Sequence, residues 1–267
     1  MPKLIPRHSV PKMSKITFAV AVNNREILRN NFMASQCFDE LDQPHQILIQ
    51  EGFPSASEAY NDAIDKSKND LIVFCHQDVL FPQGWTSQLQ LALTSLETSD
   101  PRWGVLGCYG ETLNDNGRGH VYSPGRGILG RPSEPAAVQT LDEIVLILRK
   151  SSGLRFDSQL PHYHFYGADI CLAAASRGMK SYAISAFCIH NSQLNLILPK
   201  EFYEGYRYLK RKWKNVLPIQ TTCVRITRFD VGMYRRRFRE LFCRKEIAVT
   251  RVKNGKDLLS ELQISCE

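Results

Sequence analysis

The sequence has no hydrophobic run long enough to cross a membrane. Its longest apolar stretches, "DLIVFC" and "LDEIVLILR", are far shorter than the roughly 20 residues that a spanning helix needs. The basic opening stretch "MPKLIPRHSVPKMSK" also lacks the apolar core of a secretory signal. We therefore expect a protein that has no transmembrane helix and is not exported.

Closely paired cysteines are absent too. The eight cysteines are scattered, no C-x-x-C pair occurs, and several lie inside apolar runs. Such positions are typical of small buried side chains in the reducing cytoplasm, where disulfides do not persist. The pattern disfavours disulfides and a cysteine zinc site, and it favours a cytoplasmic location.

Acidic residues are scarce in one part of the chain. From Lys200 to the end the sequence carries 17 Lys and Arg against 8 Asp and Glu, whereas residues 1–199 carry 17 against 19. With 43% hydrophobic and 23% charged residues, the composition is that of an ordinary globular protein. We predict an irregular segment (residues 1–14), one globular domain (15–199) and a basic, mostly helical extension (200–267).

Strand and helix patterns alternate in the first part of the domain. Three continuous apolar runs predict buried strands, namely "ITFAVAV" (16–22), "HQILIQ" (45–50) and "DLIVFC" (70–75). Two stretches with helical spacing lie between them, "REILRNNFMASQCF" (25–38) and "SASEAYNDAIDKSK" (55–68). Ser55 and Glu58 have the spacing of a capping box. This order predicts an α/β domain with a mainly parallel sheet and crossover helices.

A stretch rich in glycine and proline interrupts the domain. Residues 110–137 ("GETLNDNGRGHVYSPGRGILGRPSEPAA") are too many for a simple connection and predict a flexible loop that covers a substrate. Beyond it, "GADICLAAASRGM" predicts a helix that ends at Gly178, and "KSYAISAFCIH" predicts a strand that ends at His190.

Three polar residues, His76, Gln77 and Asp78, directly follow the third predicted strand. The carboxyl ends of parallel strands are where α/β sheets bind ligands. His76 and Asp78 are two residues apart and leave an extended chain on the same face. A carboxylate suits Mg²⁺ or Mn²⁺, and Mn²⁺ also accepts imidazole. An equally simple interpretation is that Asp78 caps the following turn and His76 bonds to the backbone.

Two longer stretches resemble a known family. They are "SASEAYNDAIDKSKNDLIVFCHQDVLFPQGW" and "RFDSQLPHYHFYGADICLAAASRGMKSYAISAFCIHNS". Their order and separation resemble a family-2-type glycosyltransferase of the GT-A fold, and they are most similar to the streptomycin-biosynthesis-type branch. In that branch an H-Q-D triplet stands in place of the common D-x-D. The resemblance covers residues 15–195 and implies a mixed, mainly parallel sheet flanked by helices.

The resemblance also implies a function and a set of site residues. It implies an inverting transfer of a sugar from a nucleoside-diphosphate-sugar donor to a hydroxyl acceptor, with Mn²⁺ or Mg²⁺ held by Asp78 and His190. The residues that it assigns to binding of the nucleotide-sugar donor are Asn23, Asn24, Glu51, Ser57, Asn61, His76, Gln77 and Asp78. Those assigned to the acceptor side are Asp142, Glu143, His164 and Trp85.

The general base is where the sequence departs from the family. Gly167 stands where the usual acidic base aligns, and Asp169 is the only acid in "FYGADICL". We therefore assign the base to Asp169. The substitutes that stay open are Asp142, Glu143, His162 and His164.

Other functions stay open beside the transferase. A chain without a base would bind a nucleotide sugar and remain catalytically inert. A nucleotidyltransferase usually has a glycine-rich phosphate loop near its amino terminus, and "AVAVNNREILRNN" contains no glycine. The transferase hypothesis implies a saccharide or lipid-linked acceptor, as in the synthesis of surface polysaccharides or glycoconjugates.

The basic extension has three interpretations. Aromatic residues alternate with Lys and Arg, a pattern that suits nucleic acid or an anionic membrane surface. Because no nucleic-acid-reading motif accompanies the charge, nucleic acid is the least favoured partner. The third interpretation is a helix packed on the domain through apolar side chains, namely Phe202, Tyr206, Leu209 and Trp213. Membrane contact would place the protein on the inner face of the membrane.

Overall fold

The computed structural model describes residues 15–40, 45–114, 117–192, 197–240 and 254–262. The irregular segment predicted at residues 1–14 lies outside these ranges. Within them, every helix is too short or too polar to span a bilayer.

The described chain forms fifteen strands, seven α-helices and three short 3-10 helices. The strands are β1 (Ile16–Val22), β2 (Gln46–Glu51), β3 (Leu71–His76), β4 (Val79–Leu80), β5 (Val105–Gly107), β6 (Tyr109–Glu111), β7 (Gly117–Ser123), β8 (Gly127–Gly130), β9 (Ala136–Val138), β10 (Thr140–Leu141), β11 (Val145–Arg149), β12 (Ser181–Ala183), β13 (Cys188–His190), β14 (Ile219–Gln220) and β15 (Arg225–Ile226). The helices are α1 (Arg25–Asn30), α2 (Ala56–Lys66), α3 (Trp85–Ser99), α4 (Tyr166–Ser176), α5 (Lys200–Lys212), α6 (Val231–Glu240) and α7 (Gly255–Glu261). The 3-10 helices are Phe32–Ala34, Gln36–Glu40 and Lys150–Ser152.

The central sheet has the order β2-β1-β3-β11-β5-β12-β9. β1 is parallel to both β2 and β3, and β12 is parallel to β5. β11 runs antiparallel to both of its neighbours, and β9 is antiparallel to β12. The predicted α/β class, with a mixed sheet flanked by helices, is confirmed.

Both faces of this sheet are buried, which explains why its strands are continuously apolar. On one face Phe18 and Val73 pack in the same cluster as Leu89 of α3. On the other face Ile72 and Phe74 pack with residues of α2 and α4. Burying each such side chain contributes about 1.5–3 kcal/mol. Ser55 caps α2 by accepting a hydrogen bond from the Glu58 backbone N–H, as the capping-box spacing predicts.

The predicted helix over residues 25–38 is shorter in the structure. α1 ends at Asn30, and two 3-10 helices follow it. The Asn31 side chain donates a hydrogen bond to the carbonyl oxygen of Ile27, four residues earlier, and this competes with continuation of the helix. The turn lets Phe32 enter the core, where it is fully buried.

The prediction of a flexible loop over residues 110–137 is wrong. This segment supplies β7 and β8, which belong to a second sheet of order β10-β6-β7-β13-β4, with β8 paired to β7. Gly119 has a φ of +114°, and a Cβ there would lie 2.1 Å from the Cys108 carbonyl oxygen. Glycines that suggested flexibility are therefore needed for close approach of neighbouring strands.

The extension packs on the domain through its own apolar cluster. Phe202, Tyr206 and Leu209 of α5 are buried against Phe165, which precedes α4, and against residues of α4 itself. The packing predicted for these three side chains is confirmed, and Trp213 lies half-buried at the edge of the cluster. The hairpin β14–β15 and Met233 of α6 complete it.

Candidate functional site

The predicted polar residues meet at one edge of the central sheet. β1 and β3 are parallel neighbours, and Ala21 lies opposite His76 where both strands end. Asn23 and Asn24 follow β1, while Gln77 and Asp78 follow β3. Because parallel strands end at a common edge, residues more than 50 positions apart in sequence come into contact here.

His76, Asp78 and His190 form a compact cluster of metal-ligand atoms. The His190 Nε2 atom lies 3.4 Å from Asp78 Oδ1 and 3.4 Å from His76 Nδ1, and His76 Nδ1 lies 4.0 Å from Asp78 Oδ1. β4 follows Asp78 directly and pairs with β13, where His190 is opposite Val79. This pairing carries His190 to the end of β3. Two imidazole nitrogens and one carboxylate oxygen form a donor set that fits Mn²⁺.

The His76 ring is held by a chain of hydrogen bonds. Its Nε2 atom lies 2.9 Å from the Tyr166 hydroxyl, which donates to the Glu143 carbonyl oxygen at 3.1 Å. Since that carbonyl can only accept, the Tyr166 hydroxyl accepts the Nε2 proton, and Nδ1 presents a lone pair to the cluster. Burial, followed by the neighbouring His190, lowers the pKa of His76 to about 4, so the ring is neutral near pH 7.

Asn23, Asn24 and Gln77, which we predicted to bind the sugar donor, are hydrogen-bonded to one another. The backbone N–H groups of Asn23 and Asn24 donate to Gln77 Oε1 at 3.1 and 2.9 Å, and Gln77 Nε2 donates to Asn23 Oδ1 at 2.6 Å. The Asn24 side chain caps α1. Glu51 pairs with Arg25 on the surface at 2.6 Å. The turn after β1 is thus fixed beside the His76, Asp78 and His190 cluster.

Glu143 occupies the space that Gly167 leaves open. A Cβ on Gly167 would lie 3.1 Å from Glu143 Cγ and 2.8 Å from the Leu141 carbonyl oxygen. Burial, followed by repulsion from Asp142, raises the pKa of Glu143 to about 8, while the N–H groups of Phe165 and Gly167 act in the opposite direction. A half-buried carboxyl group, that of Glu143, therefore lies beside Gly167 at the start of α4.

The side chain of Asp169, the predicted base, is hydrogen-bonded to other residues of the protein. Its side chain is 3% exposed and accepts hydrogen bonds from Lys212 Nζ at 2.8 Å and Trp213 Nε1 at 2.7 Å. Burial raises the pKa of Asp169, although both partners favour its charged form. The structure directs this carboxylate to the end of α5 and not to the metal-ligand cluster.

Three further predicted residues are buried in the interior or held by the backbone. Trp85, predicted on the acceptor side, is 1% exposed and packs against Phe81 in the core, because it starts the inward face of α3. Ser57, predicted to bind the donor, is 1% exposed on the inward face of α2. Asn61 binds both the carbonyl oxygen and the N–H of Phe156 and so fixes the loop before α4. In this structure Trp85 and Ser57 belong to the interior and Asn61 is held by the Phe156 backbone, and their assignments to ligand binding stay predictions.

His164, predicted on the acceptor side, and His162, a substitute for the base, lie in the loop that leads into α4. His162 Nε2 pairs with Glu204 Oε2 of α5 at 2.7 Å, and His164 stacks edge-on against Phe202. His162 and Phe165 both have positive φ angles, of 64° and 67°, which non-glycine residues rarely adopt. Such strain is common where the surrounding structure holds a functional loop in one conformation.

Sequence reasoning missed Tyr166, which joins His76 to Glu143. The residue is 2% exposed and begins α4, and its ring packs with Tyr60 and Phe156. Its only trace in the sequence is the position just before Gly167. Periodicity assigns such a residue to the core and gives no indication that its hydroxyl holds a ligand residue.

Comparisons with known proteins give distant similarities. No protein-family model matches the sequence. A curated protein of Fuscovulum blasticum, "ATP synthase subunits region ORF 6", is 27% identical over 161 residues, which is 58% of this chain. The match spans 64% of that protein's length, so the chain accounts for less than two thirds of this relative.

Solved structures with similar backbones include one that is a glycosyltransferase by name. It is the mannosyltransferase PcManGT from Pyrobaculum calidifontis in complex with GDP-Man and Mn²⁺, with a TM-score of 0.44 and 11% identity over 76% of this chain and 62% of that one. S. aureus TarS has a TM-score of 0.48 and 15% identity over 74% of this chain and 39% of that one. Both TM-scores are below 0.5, so these overlaps do not define the fold of this chain. The order of the strands in its own sheet does.

Proposed function

We propose that this protein is a metal-dependent glycosyltransferase that moves a sugar from a nucleoside-diphosphate-sugar donor to a hydroxyl acceptor. One observation carries the proposal: His76, Asp78 and His190 converge where β3 ends, beside the fixed turn at Asn23 and Asn24. This is the edge at which an α/β sheet binds a nucleotide. The resemblance of residues 15–195 to GT-A glycosyltransferases supports the same conclusion.

The metal of this proposal is Mn²⁺ or Mg²⁺, and the two imidazoles favour Mn²⁺. His76 Nδ1, His190 Nε2 and a carboxylate oxygen of Asp78 would hold it. When bound, the cation would neutralise the negative charge that develops on the diphosphate leaving group. Tyr166 keeps His76 in the tautomer that ligation requires.

Glu143 is the proton acceptor in this proposal, in place of Asp169. An inverting transfer needs a base that takes the proton of the acceptor hydroxyl as that oxygen attacks the anomeric carbon. The nucleoside diphosphate then leaves from the opposite face. Glu143 is half-buried, is close to Gly167, and has a pKa raised towards the working pH. Asp169 is occupied by Lys212 and Trp213.

The acceptor would approach along the strained loop that contains His162 and His164. This loop and Asp142 border Glu143 on the side of α4, and Asp142 acts on the pKa values of both His76 and Glu143. A saccharide or a lipid-linked hydroxyl would fit this role. The biological setting that we propose is the synthesis of a surface polysaccharide or glycoconjugate in the cytoplasm.

Titration calorimetry with UDP, GDP, dTDP and CDP, with and without Mn²⁺, tests the proposal. We expect one nucleotide to bind only with the metal, and we expect Asp78→Ala to abolish that binding. Glu97→Gln is the matched control, because it removes one negative charge from the exposed face of α3. If no nucleoside diphosphate binds under any condition, or if both variants bind equally well, the proposal is wrong.

A further inference from the structure

An open concavity of about 720 Å³ lies on the extension, formed by α5 and by the segments that follow it. Its lining is strongly basic: Tyr206, Arg207, Lys210, Arg211, Lys214, Asn215, Leu217, Arg228 and Asp230. Five of these nine residues are Lys or Arg, and one is acidic. From Lys200 to Glu240 the sequence carries twelve Lys and Arg against four Asp and Glu.

The single acid of this concavity is already neutralised. Asp230 accepts hydrogen bonds from Lys210 Nζ at 2.5 Å and from the Tyr206 hydroxyl at 2.6 Å, and these contacts lower its pKa. Arg207, Lys214 and Arg228 are exposed. Within the described part of the chain, no ion pair to an acidic side chain is formed by these three cations. The concavity therefore has a net positive charge that is available to an anion.

Exposed apolar side chains form the rim. Val216 stands between the lining residues Asn215 and Leu217 and is 46% exposed. Phe229 stands between Arg228 and Asp230 and is 73% exposed. On α6, Val231 and Tyr234 are three residues apart and share the outward face, while Met233 points into the core.

Aliphatic rim residues favour a lipid surface over a nucleic acid. Bases stack on aromatic rings or on guanidinium groups, and valine offers neither. Binding is favourable for Val216 and Val231 only if it moves them from water into an apolar medium. A surface with cations in the centre and apolar side chains at its edge matches the interface of an anionic bilayer, where phosphates lie above hydrocarbon.

We propose that this surface of the extension docks on an anionic lipid bilayer. Headgroup phosphates enter the concavity beside Arg207, Lys214 and Arg228, and the rim residues Phe229, Val231 and Tyr234 enter the interfacial layer. The inference does not rest on the proposed transferase activity, because it uses residues of the extension alone. Docking would bring the whole chain to a surface that carries lipid-linked molecules.

Vesicle co-sedimentation of the full chain tests the proposal. The vesicles are phosphatidylcholine alone, or phosphatidylcholine mixed with phosphatidylglycerol. We expect binding only to the mixed vesicles, and we expect it to weaken as salt rises, because the headgroup charge is screened. Substituting Arg207→Gln, Lys214→Gln and Arg228→Gln together should weaken binding on the order of a hundredfold. Phe229→Ser with Tyr234→Ser should weaken it without changing the salt dependence.

The control variant changes the charge of a different concavity. Arg118 and Arg131 line a second opening of about 600 Å³ between β7 and the segment after β8, and Arg118→Gln with Arg131→Gln should leave vesicle binding unchanged. Circular dichroism checks that each variant is folded. Equal binding to neutral vesicles, equal loss in the control, displacement by soluble glycerol phosphate, or tighter binding to a single-stranded oligonucleotide at the same salt would each overturn the proposal.

Discussion

The absence of a side chain at Gly167 leaves the space that Glu143 occupies. Ala at position 167 would place its Cβ 2.8 Å from a backbone oxygen and 3.1 Å from Glu143 Cγ, so the strand end or the glutamate must move. Ala gains up to about 1 kcal/mol of helix propensity over Gly, but overpacking costs about 1–3 kcal/mol. We expect Gly167→Ala to lower kcat of the transferase and to leave metal-dependent nucleotide binding intact. Steady-state kinetics and calorimetry measure the two effects separately.

Gly232 provides the matched control for that substitution. It is also a helical glycine, in α6, and a Cβ there meets nothing within 4 Å. Gly232→Ala should raise the free energy of unfolding by up to about 1 kcal/mol and leave kcat unchanged. If both alanine variants behave alike, Glu143 is not positioned by the space at Gly167.

The raised pKa of Glu143 gives a pH dependence for the same reaction. A base acts in its deprotonated form, so with Mn²⁺ saturating we expect kcat to rise with pH through an apparent pKa of about 8. The other titratable groups that face Glu143 are Tyr60, Tyr166, Cys171 and Cys223, besides its neighbour Asp142. Burial raises the pKa values of Tyr60, Tyr166 and Cys171. Glu143→Gln should remove both the activity and this limb, and Glu143→Asp should restore part of the activity.

The sequence predicted the location of some site residues better than that of others. His76 and Asp78 come at the end of an apolar run, a position that fits a ligand-binding edge or a capped turn. His190 joins them through the pairing of β4 with β13, which is only two to three residues long and has no periodicity to reveal it. Residue type does not tell whether a helix turns a position towards a cleft or towards its neighbour, so the sequence did not reveal the burial of Trp85 or the pairing of Asp169 with Lys212.

At the scale of elements, α4 and α5 are joined by an ion pair whose carboxylate, Asp169, is buried and whose cation, Lys212, is partly exposed. Lys212 Nζ contacts Asp169 and also Asp157 Oδ2, the latter at 2.6 Å. Lys212→Met keeps the apolar stem but leaves Asp169 without its cation, which should cost about 3 kcal/mol in the free energy of unfolding. The loss should shrink as the pH falls, because a protonated Asp169 needs no cation. Urea denaturation at two pH values measures both effects.

A surface pair on the same helix is the control for this prediction. Lys200 pairs with Glu204 one turn away, but its side chain is 84% exposed, so Lys200→Met should cost less than about 1 kcal/mol. Asp169→Asn separates the structural role from the catalytic one. We expect a loss of stability with kcat largely retained; normal stability with kcat abolished would restore Asp169 as the base.

Elements built from local patterns were predictable, and those built from long-range pairing were not. β1, β3 and α2 follow from apolar runs and a capping box within each segment. The hairpin of β7 and β8 has few apolar residues, and its glycines permit strand contacts that only the folded neighbours define. The direction of β11 in the sheet likewise depends on the path of the chain through the second sheet, which periodicity does not encode.

At the scale of the whole molecule, the charged extension and the domain share one core. Phe165, just before α4, and Leu172 of α4 lie in the same cluster as Phe202, Leu209 and residues of the β14–β15 hairpin. Removal of the extension would therefore expose an apolar face of the helix that also carries Tyr166 and Gly167. The strained loop before α4 is held from both sides, by α2 through the Ala56 N–H and by α5 through Glu204. The geometry of the candidate site thus depends on the extension.

This shared core predicts that the domain and the extension unfold together. Phe202 is 3% exposed, and Phe202→Ala should lower the free energy of unfolding by about 3–5 kcal/mol. Pulsed hydrogen exchange across a urea titration follows the amides of the extension and those of the domain separately, and both midpoints should shift together. Phe229→Ala, at a side chain that is 73% exposed, should change stability by no more than about 0.5 kcal/mol. Two separate transitions in the wild type would show that the extension folds on its own, and α4 would then need no partner to hold the site.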